Sequence, residues 1–171
     1  MVPKSRIAVL VGEGGKTRKK IEKLTETKVE IDSKTGEVEV RSKGEGLNFY
    51  NALNIIKAIA RGFSPEKAFL LSDEEYYLDL IDVSEIVGGS GKEMEIKKGR
   101  VIGTRGIARE SIEKATSCFI SVYGKTIGII GKVEDMESAR KAIEMLLEGA
   151  KHTTMLDFLK KKEFESRRFE L

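Results

Sequence analysis

Two glycine-rich stretches carry the residues of this chain that could do chemistry. Residues 9–22 read VLVGEGGKTRKKIE, an apolar run followed by closely spaced glycines and then by a basic segment. Glycines let a backbone approach a phosphate closely, and the helix that follows offers unpaired N–H groups and a positive dipole end. The stretch therefore predicts contact with phosphate, either of a nucleotide cofactor or of a nucleic acid.

The known nucleotide-binding loops do not fit this stretch. A Walker A loop needs a glycine, four residues and then Gly-Lys-Ser/Thr. Gly15-Lys16-Thr17 supplies the second part, but Leu10 stands where the first glycine belongs. The dinucleotide fingerprint fails as well, because its third glycine would fall at Thr17. The pattern does not favour nucleotide hydrolysis.

A second stretch, VIGTRGIARESIEKATSCFISV at residues 101–122, repeats the first at an offset of 91. Gly12 aligns with Gly103, and Gly15 aligns with Gly106. The same offset aligns Ile21 with Ile112, Glu22 with Glu113, Lys23 with Lys114 and Thr25 with Thr116. Farther along, Gly62 aligns with Gly149 after the loss of four residues at a predicted hairpin turn. The chain is therefore a tandem duplication of one unit, which we call the first copy and the second copy.

Each copy reads as the same order of elements. After the glycines, apolar residues at helical spacing predict a helix, with Thr17, Ile21 and Leu24 facing inward in the first copy and Ala108, Ile112 and Ala115 in the second. Alternating residues then predict a hairpin, and a longer amphipathic helix closes the unit. These elements fit an α+β fold in which helices cover one face of a three-stranded sheet.

The stretches VLVGEGGKTRKKIEKLT and GRVIGTRGIARESIEKAT resemble the KH domain of RNA-binding proteins, whose signature is Ile-Gly-x-x-Gly between two helices. The resemblance implies two tandem type I KH domains, each a three-stranded antiparallel sheet packed on helices, with a C-terminal helix. We predict KH domain 1 at residues 1–71, KH domain 2 at 72–150 and a charged helix or tail at 151–171. The first strand of domain 1 is expected to be missing, because only three residues precede its first helix.

The two loops are not equally suited to RNA. The second loop carries Thr104-Arg105, whereas Glu13 places a carboxylate in the first. We therefore predict that the second copy is the main clamp for single-stranded RNA. Its predicted contact residues are Arg100, Val101, Ile102, Gly103, Thr104, Arg105, Gly106, Arg109 and Ile120. A weaker contact set is predicted in the first copy at Gly12, Gly14, Gly15, Lys16 and Arg18.

The resemblance extends along the chain. The connector SDEEYYLDLIDV, the loop KGRVIGTRG and the segment AIEMLLEGAKHTTMLDFL are similar to the archaeal and eukaryotic Dim-two or partner-of-NOB-one family of ribosome-assembly factors. The similarity implies binding to the 3′ region of small-subunit rRNA during ribosome biogenesis. It also implies two protein partners, a pre-rRNA endonuclease and the alpha subunit of translation initiation factor two.

Composition narrows the function classes further. Formal net charge is only +3, but residues 12–24 and 97–114 are basic while residues 72–82 carry five acidic groups and no basic one. Basic stretches of this kind suit an anionic partner.

The single cysteine, Cys118, indicates a reducing compartment, so we expect a cytoplasmic protein. No apolar run predicts contact with a membrane. The absence of glutamine and the 35% of charged residues favour a thermophilic source.

No residue pattern predicts catalysis. His152 is the only histidine and cannot build a metal site or a nucleophilic triad alone. We therefore predict no enzyme activity, no catalytic residue, no metal and no cofactor. Two alternatives to rRNA binding stay open: a KH scaffold that binds mainly proteins, and a KH regulator of messenger RNA or translation.

Overall fold

The computed structural model describes residues 1–42, 46–89 and 91–169. The chain divides into two compact units, Met1–Leu78 and Asp79–Leu171. The predicted boundary after residue 71 stays a prediction. Residues 170–171 of the predicted C-terminal segment lie outside the described residues.

The first unit follows the predicted order of elements. Its helices and strands are α1 Lys4–Val11, α2 Lys16–Thr25, β1 Thr27–Ile31, β2 Val38–Ser42, α3 Leu47–Ala60 and α4 Pro65–Ala68. β1 and β2 pair antiparallel, with Val29 opposite Val40. Val29 is fully buried while its neighbours Lys28 and Glu30 are exposed, which is the alternation expected of a strand with one covered face.

The prediction of three strands in each domain is wrong for the first copy. Its sheet has two strands, β1 and β2, among the described residues. Val2 is buried, and its N–H donates at 2.8 Å to the carbonyl of Gly36 in the turn between β1 and β2. The absence of a first strand was expected from the sequence, so the error lies in assigning three strands to both domains.

The second unit contains the longer elements. They are β3 Tyr76–Asp82, which begins just before the division between the units, α5 Val83–Val87, α6 Gly91–Ile102, α7 Ile107–Thr116, β4 Phe119–Tyr123, β5 Thr126–Lys132, α8 Val133–Glu148 and α9 His152–Phe169. The strands form one sheet in the order β3-β5-β4, so β4 is an edge strand. A two-residue turn joins β4 to β5, and the predicted C-terminal helix is present as α9.

The core of the second unit lies under the central strand. Every residue of β5 from Ile127 to Gly131 is buried. Cys118 is buried too and lies in the same hydrophobic cluster as Ile120 and Ile129. Burial raises the pKa of the Cys118 thiol to about 11, so this cysteine is an inert core residue at neutral pH.

The helix after each glycine loop buries most of the stripe predicted for it, since Ile21, Ala108 and Ile112 are buried. The last position of each stripe differs. Leu24 and Ala115, expected to face inward, are exposed, and Thr25 and Thr116 are buried in their place. Thr25 and Thr116 lie four residues after the buried Ile21 and Ile112, which places them on the same face of the helix. Each threonine hydroxyl donates to a backbone carbonyl four residues earlier, at 2.8 Å in α2 and 2.7 Å in α7, so burial leaves it satisfied.

In the part of the chain that the structure describes, no helix combines the length and the apolar character needed to cross a bilayer.

Candidate nucleic-acid interface

The glycine loop of the second copy is a tight connection between two helices. α6 ends at Ile102, Gly103 turns the chain at a φ of +73°, and Thr104–Gly106 forms one 3-10 turn before α7. A Cβ on Gly103 would lie 2.7 Å from the Ala108 Cβ and 2.8 Å from the Ala108 amide nitrogen. The position therefore requires glycine, because any side chain would collide with the first turn of α7.

The loop of the first copy has the same backbone. Gly12 turns the chain at a φ of +74°, and a Cβ on it would lie 2.4 Å from the Thr17 hydroxyl oxygen. The last glycine of each loop is left-handed, at +77° for Gly15 and +79° for Gly106. The two loops thus present the same main chain to a ligand and differ only in their side chains.

Arg105 occupies the strained position of the second loop. It is exposed and has a left-handed φ of +54°, where the first loop has Gly14 at +59°. For a residue with a Cβ, this conformation costs about 1–2 kcal/mol. Strain of this kind concentrates at binding sites, so the observation points to a functional need for the guanidinium at this point.

The basic side chains beside the first loop already have partners. Lys16 Nζ lies 3.7 Å from the Glu13 carboxylate, and both side chains are largely exposed. The Arg18 guanidinium donates to the Val29 carbonyl at 3.5 Å, which ties it to strand β1. Arg18 is therefore partly engaged by its own strand, whereas the exposed ion pair of Lys16 is weak and leaves it at the surface.

Two predicted contact residues of the second copy have buried side chains. Val101 is fully buried and Ile120 is 3% exposed, and both belong to the core cluster. Their side chains therefore lie below the surface, and contact of these two residues with RNA stays a prediction. Ile120 can still offer its backbone, since β4 is an edge strand.

Arg100, a third predicted contact, ties two distant segments together. Its Nη2 donates to the carbonyls of Gly149 and Ala150, at 3.1 Å for Gly149. The His152 imidazole Nε2 lies 2.9 Å from the Arg100 carbonyl, which adds a second link between the end of α6 and the start of α9. Arg100 thus links the end of α6 to the segment before α9, and its Nη2 is already bonded to main-chain carbonyls.

The remaining predicted residues lie on the surface around the loop. Thr104 and Arg105 are exposed, Ile102 is 37% exposed and the Arg109 side chain is 38% exposed. Ile107, directly after the loop, is 59% exposed and was not predicted as a contact. Ile107 is the first residue of α7, whose buried residues lie on the opposite face. An apolar residue at that position is the sequence signal for an exposed side chain beside the loop.

The C-terminal helix lies beside the loop without covering it. Met155 and Leu159 of α9 are buried in the core of the second unit, as the sequence indicated for this stripe. A groove of about 200 Å³ separates α9 from the loop and is lined by Gly103, Thr104, Ile107 and Leu156, among others. Because Thr104 and Arg105 stay exposed, the apex of the loop is open to a polynucleotide.

A partly buried glutamate links each loop helix to the strand that follows it. The Glu113 Oε1 accepts the Ile120 N–H at 2.8 Å, and the Glu22 Oε1 accepts the Val29 N–H at 2.9 Å. The alignment at offset 91 pairs these glutamates, but the sequence alone assigned neither of them a role. The contact could not be read from spacing, because it crosses from a helix to a strand edge.

Comparison with known proteins agrees with this geometry. Residues 77–164 match a family model described as the eukaryotic type KH domain, KH-domain type I, and residues 1–58 match the KH domain model. A KH domain-containing protein of Methanocaldococcus jannaschii is 39% identical over 99% of this chain and 76% of its own length. The crystal structure of Dim2p from Pyrococcus horikoshii OT3 is similar to this chain, with a TM-score of 0.87 over 94% of this chain and 95% of that chain. The two sequences are 44% identical.

The chain belongs to the Dim2/Pno1 family of KH-domain proteins. A further solved structure is the a/eIF2alpha-aDim2p-rRNA complex from Pyrococcus horikoshii OT3. The matching chain of that structure is 42% identical to this chain. The TM-score is 0.90 over 96% of this chain and 92% of the matching chain. The resemblance inferred from the loop sequences is thereby confirmed, and this family member carries both KH domains.

Proposed function

We propose that this Dim2/Pno1-family protein binds single-stranded RNA in the 3′ region of small-subunit rRNA during ribosome biogenesis, with the glycine loop of the second copy as the main clamp. The observation that carries the proposal is Arg105, an exposed cation in a strained conformation at the apex of a loop shaped for close backbone approach. The rRNA in the complex of the related aDim2p supports the class of ligand.

The loop can hold RNA by three means that act together. Gly103 and Gly106 remove side chains from the surface that a sugar-phosphate backbone would approach. The first turn of α7 offers unpaired N–H groups and the positive end of its dipole to a phosphate. The Arg105 guanidinium adds charge-assisted hydrogen bonds, which recognise phosphate oxygens with two donors at once.

The proposed partners of this chain include proteins as well as rRNA. The related complex contains a/eIF2alpha as well as rRNA, which supports the alpha subunit of translation initiation factor two as a partner of this chain. We also retain a pre-rRNA endonuclease as a proposed partner. The protein would act by binding, with no catalytic step of its own, and in the cytoplasm, where a reduced Cys118 is expected.

The substitution Arg105→Glu tests the clamp. We expect it to weaken binding to a short single-stranded RNA from the 3′ end of small-subunit rRNA by about tenfold or more, because a cation at the phosphate becomes an anion. The slope of log affinity against log salt should also become shallower, by about 0.7 for each phosphate that the variant no longer neutralises. Fluorescence anisotropy over a salt series measures both quantities.

The matched control is Gly14→Glu in the first copy. Gly14 has the same backbone conformation as Arg105 and open space around it, so the control places the same carboxylate in an equivalent loop, with a charge change of one unit instead of two. RNA affinity should change little in this variant. Unchanged binding by Arg105→Glu would refute the clamp, and crosslinking in cells followed by sequencing would separate rRNA from messenger RNA targets.

A second candidate function concerns the first copy alone. Leu47 and Tyr50 of α3 are 53% and 63% exposed, although neither charge nor hydrogen bonding requires them at the surface. Together with the carboxylate of Glu13, they favour a protein contact over an RNA contact for this copy. The variant Leu47→Asp with Tyr50→Asp should weaken binding to a protein partner in a pull-down and leave RNA affinity unchanged.

A further inference from the structure

The sheet of the first copy is open at an edge that the second copy fills with a strand. In the second copy, β3 pairs with β5, which follows the hairpin turn as β2 does in the first copy. Among the described residues, β2 pairs with β1 alone, so its other edge has no strand beside it. The Val83 N–H, directly after β3, donates to the Lys125 carbonyl in the turn at 2.9 Å. The Val2 N–H makes the equivalent bond to Gly36, so the place of an edge strand is kept beside β2.

The backbone groups of Val40 point toward this open edge. Opposite residues in an antiparallel pair of strands alternate between pairs that exchange hydrogen bonds and pairs whose N–H and C=O point outward. Val29 lies opposite Val40, and the Val29 N–H donates to Glu22 at 2.9 Å rather than to β2. The two valines are therefore a pair of the second kind, and the N–H and C=O of Val40 face away from β1. The outer edge of β2 thus offers a donor and an acceptor at the middle of the strand.

Two charged residues flank Val40 on the exposed face of β2. The Arg41 guanidinium donates two hydrogen bonds to the Glu39 carboxylate, at 2.8 and 2.9 Å. In the existing sheet, however, Glu39 lies opposite Glu30, and Arg41 lies opposite Lys28. Like charges directly opposite each other destabilise a pair of strands. Strand β1 is therefore a poor electrostatic match for β2.

The covered face of β2 is less buried than the same face of the second copy. Val38 and Val40 are partly exposed, whereas Ile127 and Ile129, at the matching places of β5, are fully buried. The difference corresponds to the strand β3, which lies beside β5 and has no counterpart beside β2 among the described residues. A strand added to the open edge would exclude water from the two valines, which is favourable for apolar surface.

An apolar row on α3 borders the same edge. In the second copy, Arg140 of α8 donates to Asp79 of β3 at 2.6 Å, so its place on the helix faces the edge strand. Leu53 takes this place in the first copy, at the offset that aligns the last glycines of the two copies. Tyr50 lies one turn earlier on α3 and is 63% exposed. Apolar rather than charged helix residues thus lie next to the open edge.

We propose that the open edge binds the β2 strand of a second molecule of this protein, so that the two first units share one continuous sheet. The strands run antiparallel, with Val40 opposite Val40 of the partner molecule. This is the direction of β3 relative to β5, since the residue after β3 is bonded to the residue before β5. The inference rests on the protein contact proposed for the first copy and names its partner.

A second molecule is the partner that fits because β2 is complementary to itself in this register. The outward N–H and C=O of Val40 meet the same two groups of the partner molecule, so the pair exchanges two hydrogen bonds. Glu39 lies opposite Arg41 of the partner molecule, and Arg41 lies opposite its Glu39, so opposite charges meet at both places. Natural sheets often protect an open edge with charges, lysine above all. One anion and one cation in mirror order about Val40 instead favour pairing with a like strand.

The substitution Arg41→Glu tests the dimer by breaking this match. Carboxylates then lie opposite carboxylates at both places, so we expect the dimer dissociation constant to rise by about tenfold or more. Sedimentation equilibrium over a concentration series measures this constant. The fold of the first unit should be unharmed, because the new carboxylate faces Lys28 across the existing sheet. Thermal unfolding checks that point.

Charge exchange makes the result specific to this pairing. Glu39→Arg should weaken the dimer as Arg41→Glu does, and it faces Glu30 across the existing sheet. Mixed in equal amounts, the two single variants should form a mixed dimer, because every anion again meets a cation. The double variant Glu39→Arg with Arg41→Glu reverses both charges in one chain and should recover the natural dissociation constant. Amide hydrogen exchange at Val40 should slow with rising protein concentration only where the dimer forms.

Two outcomes would overturn the inference. They are a natural protein that stays monomeric throughout the concentration series, and single charge variants that dimerise as the natural protein does. If the natural protein is monomeric while Leu47→Asp with Tyr50→Asp still weakens a pull-down, the protein contact of the first copy stands and its partner is a different protein. The charge variants leave the second glycine loop unchanged, so their RNA affinity tests the clamp separately.

Discussion

The two copies have glycine loops with the same main chain and opposite electrostatic character. Gly12 and Gly103 have φ values within a degree of each other, and each is packed against the first turn of the next helix. At the apex, the first loop has Glu13-Gly14 and the second has Thr104-Arg105. The loop shape is thus maintained by packing, whereas the charge at the apex of each loop is set by exposed side chains that packing leaves unconstrained.

The strand edge beside each glycine loop also differs between the copies, and this difference favours the second copy, as the loop charges do. In the first copy, Arg18 bonds to its own strand, and in the second, Arg109 lies beside Glu113 with its side chain partly exposed. The copy with the acidic loop has also closed its edge, and the copy with the basic loop has kept its edge accessible. Two independent features thus favour the second copy as the RNA-binding one.

The largest expected effect comes from breaking the shared loop shape. Gly103→Ala would bring a Cβ within 2.8 Å of the Ala108 amide nitrogen at a positive φ, so we expect about 2 kcal/mol or more of lost stability in the second unit. RNA affinity should fall with it, because the loop backbone has to move. Amide hydrogen exchange measures the stability of each unit separately, and anisotropy measures binding.

The matched change Gly12→Ala should destabilise the first unit by a similar amount, since its Cβ would meet the Thr17 hydroxyl and amide. RNA affinity should stay close to that of the natural protein. If both variants lose RNA binding equally, the two loops contribute alike and the contrast between the copies is wrong.

A smaller effect is expected from exchanging the loop apex. Glu13→Thr with Gly14→Arg, made in the Arg105→Glu background, should recover about threefold to tenfold in RNA affinity by restoring a cation at a glycine loop. Gly14 has open space and the same left-handed φ as Arg105, so the arginine fits at the same conformational cost. Anisotropy at low and high salt is the measurement, and a gain that does not diminish with salt would contradict the electrostatic explanation.

The smallest effect concerns a buried position that differs between the copies. Cys118 aligns with Thr27, and burial raises the pKa of the thiol from its ordinary 9.0 to about 11. The unfolded chain therefore loses this proton at lower pH than the folded chain does. Stability from this group is full below about pH 9 and declines as pH rises toward about 11.

Replacing Cys118 by the threonine of the first copy removes that titrating group. We expect Cys118→Thr to lose the part of the alkaline decline in unfolding free energy that belongs to the thiol. Denaturant unfolding between neutral pH and pH 11 provides the comparison. Identical pH profiles for the two proteins would show that the thiol titrates alike in the folded and unfolded chains.

Local rules were enough to predict the elements and the loops. The glycine spacing, the alternation in β1 and β4 and the duplication at offset 91 depend on backbone conformation and on side-chain period, which neighbouring residues determine. The same rules assigned the predicted RNA contact to the second loop, because a basic residue between two glycines is visible in the sequence. The sequence by itself thus determined the fold class, the repeat and the loop proposed as the RNA clamp.

Only the tertiary structure decided which side chains are available. Arg100 bonds to the carbonyls of residues 149–150, Ile120 is turned into the core, and Glu113 reaches a strand edge seven residues away. At the end of each loop helix, Thr25 and Thr116 are buried where the preceding residue was expected to be. These outcomes depend on how the elements pack against one another, and residue spacing alone does not determine that packing.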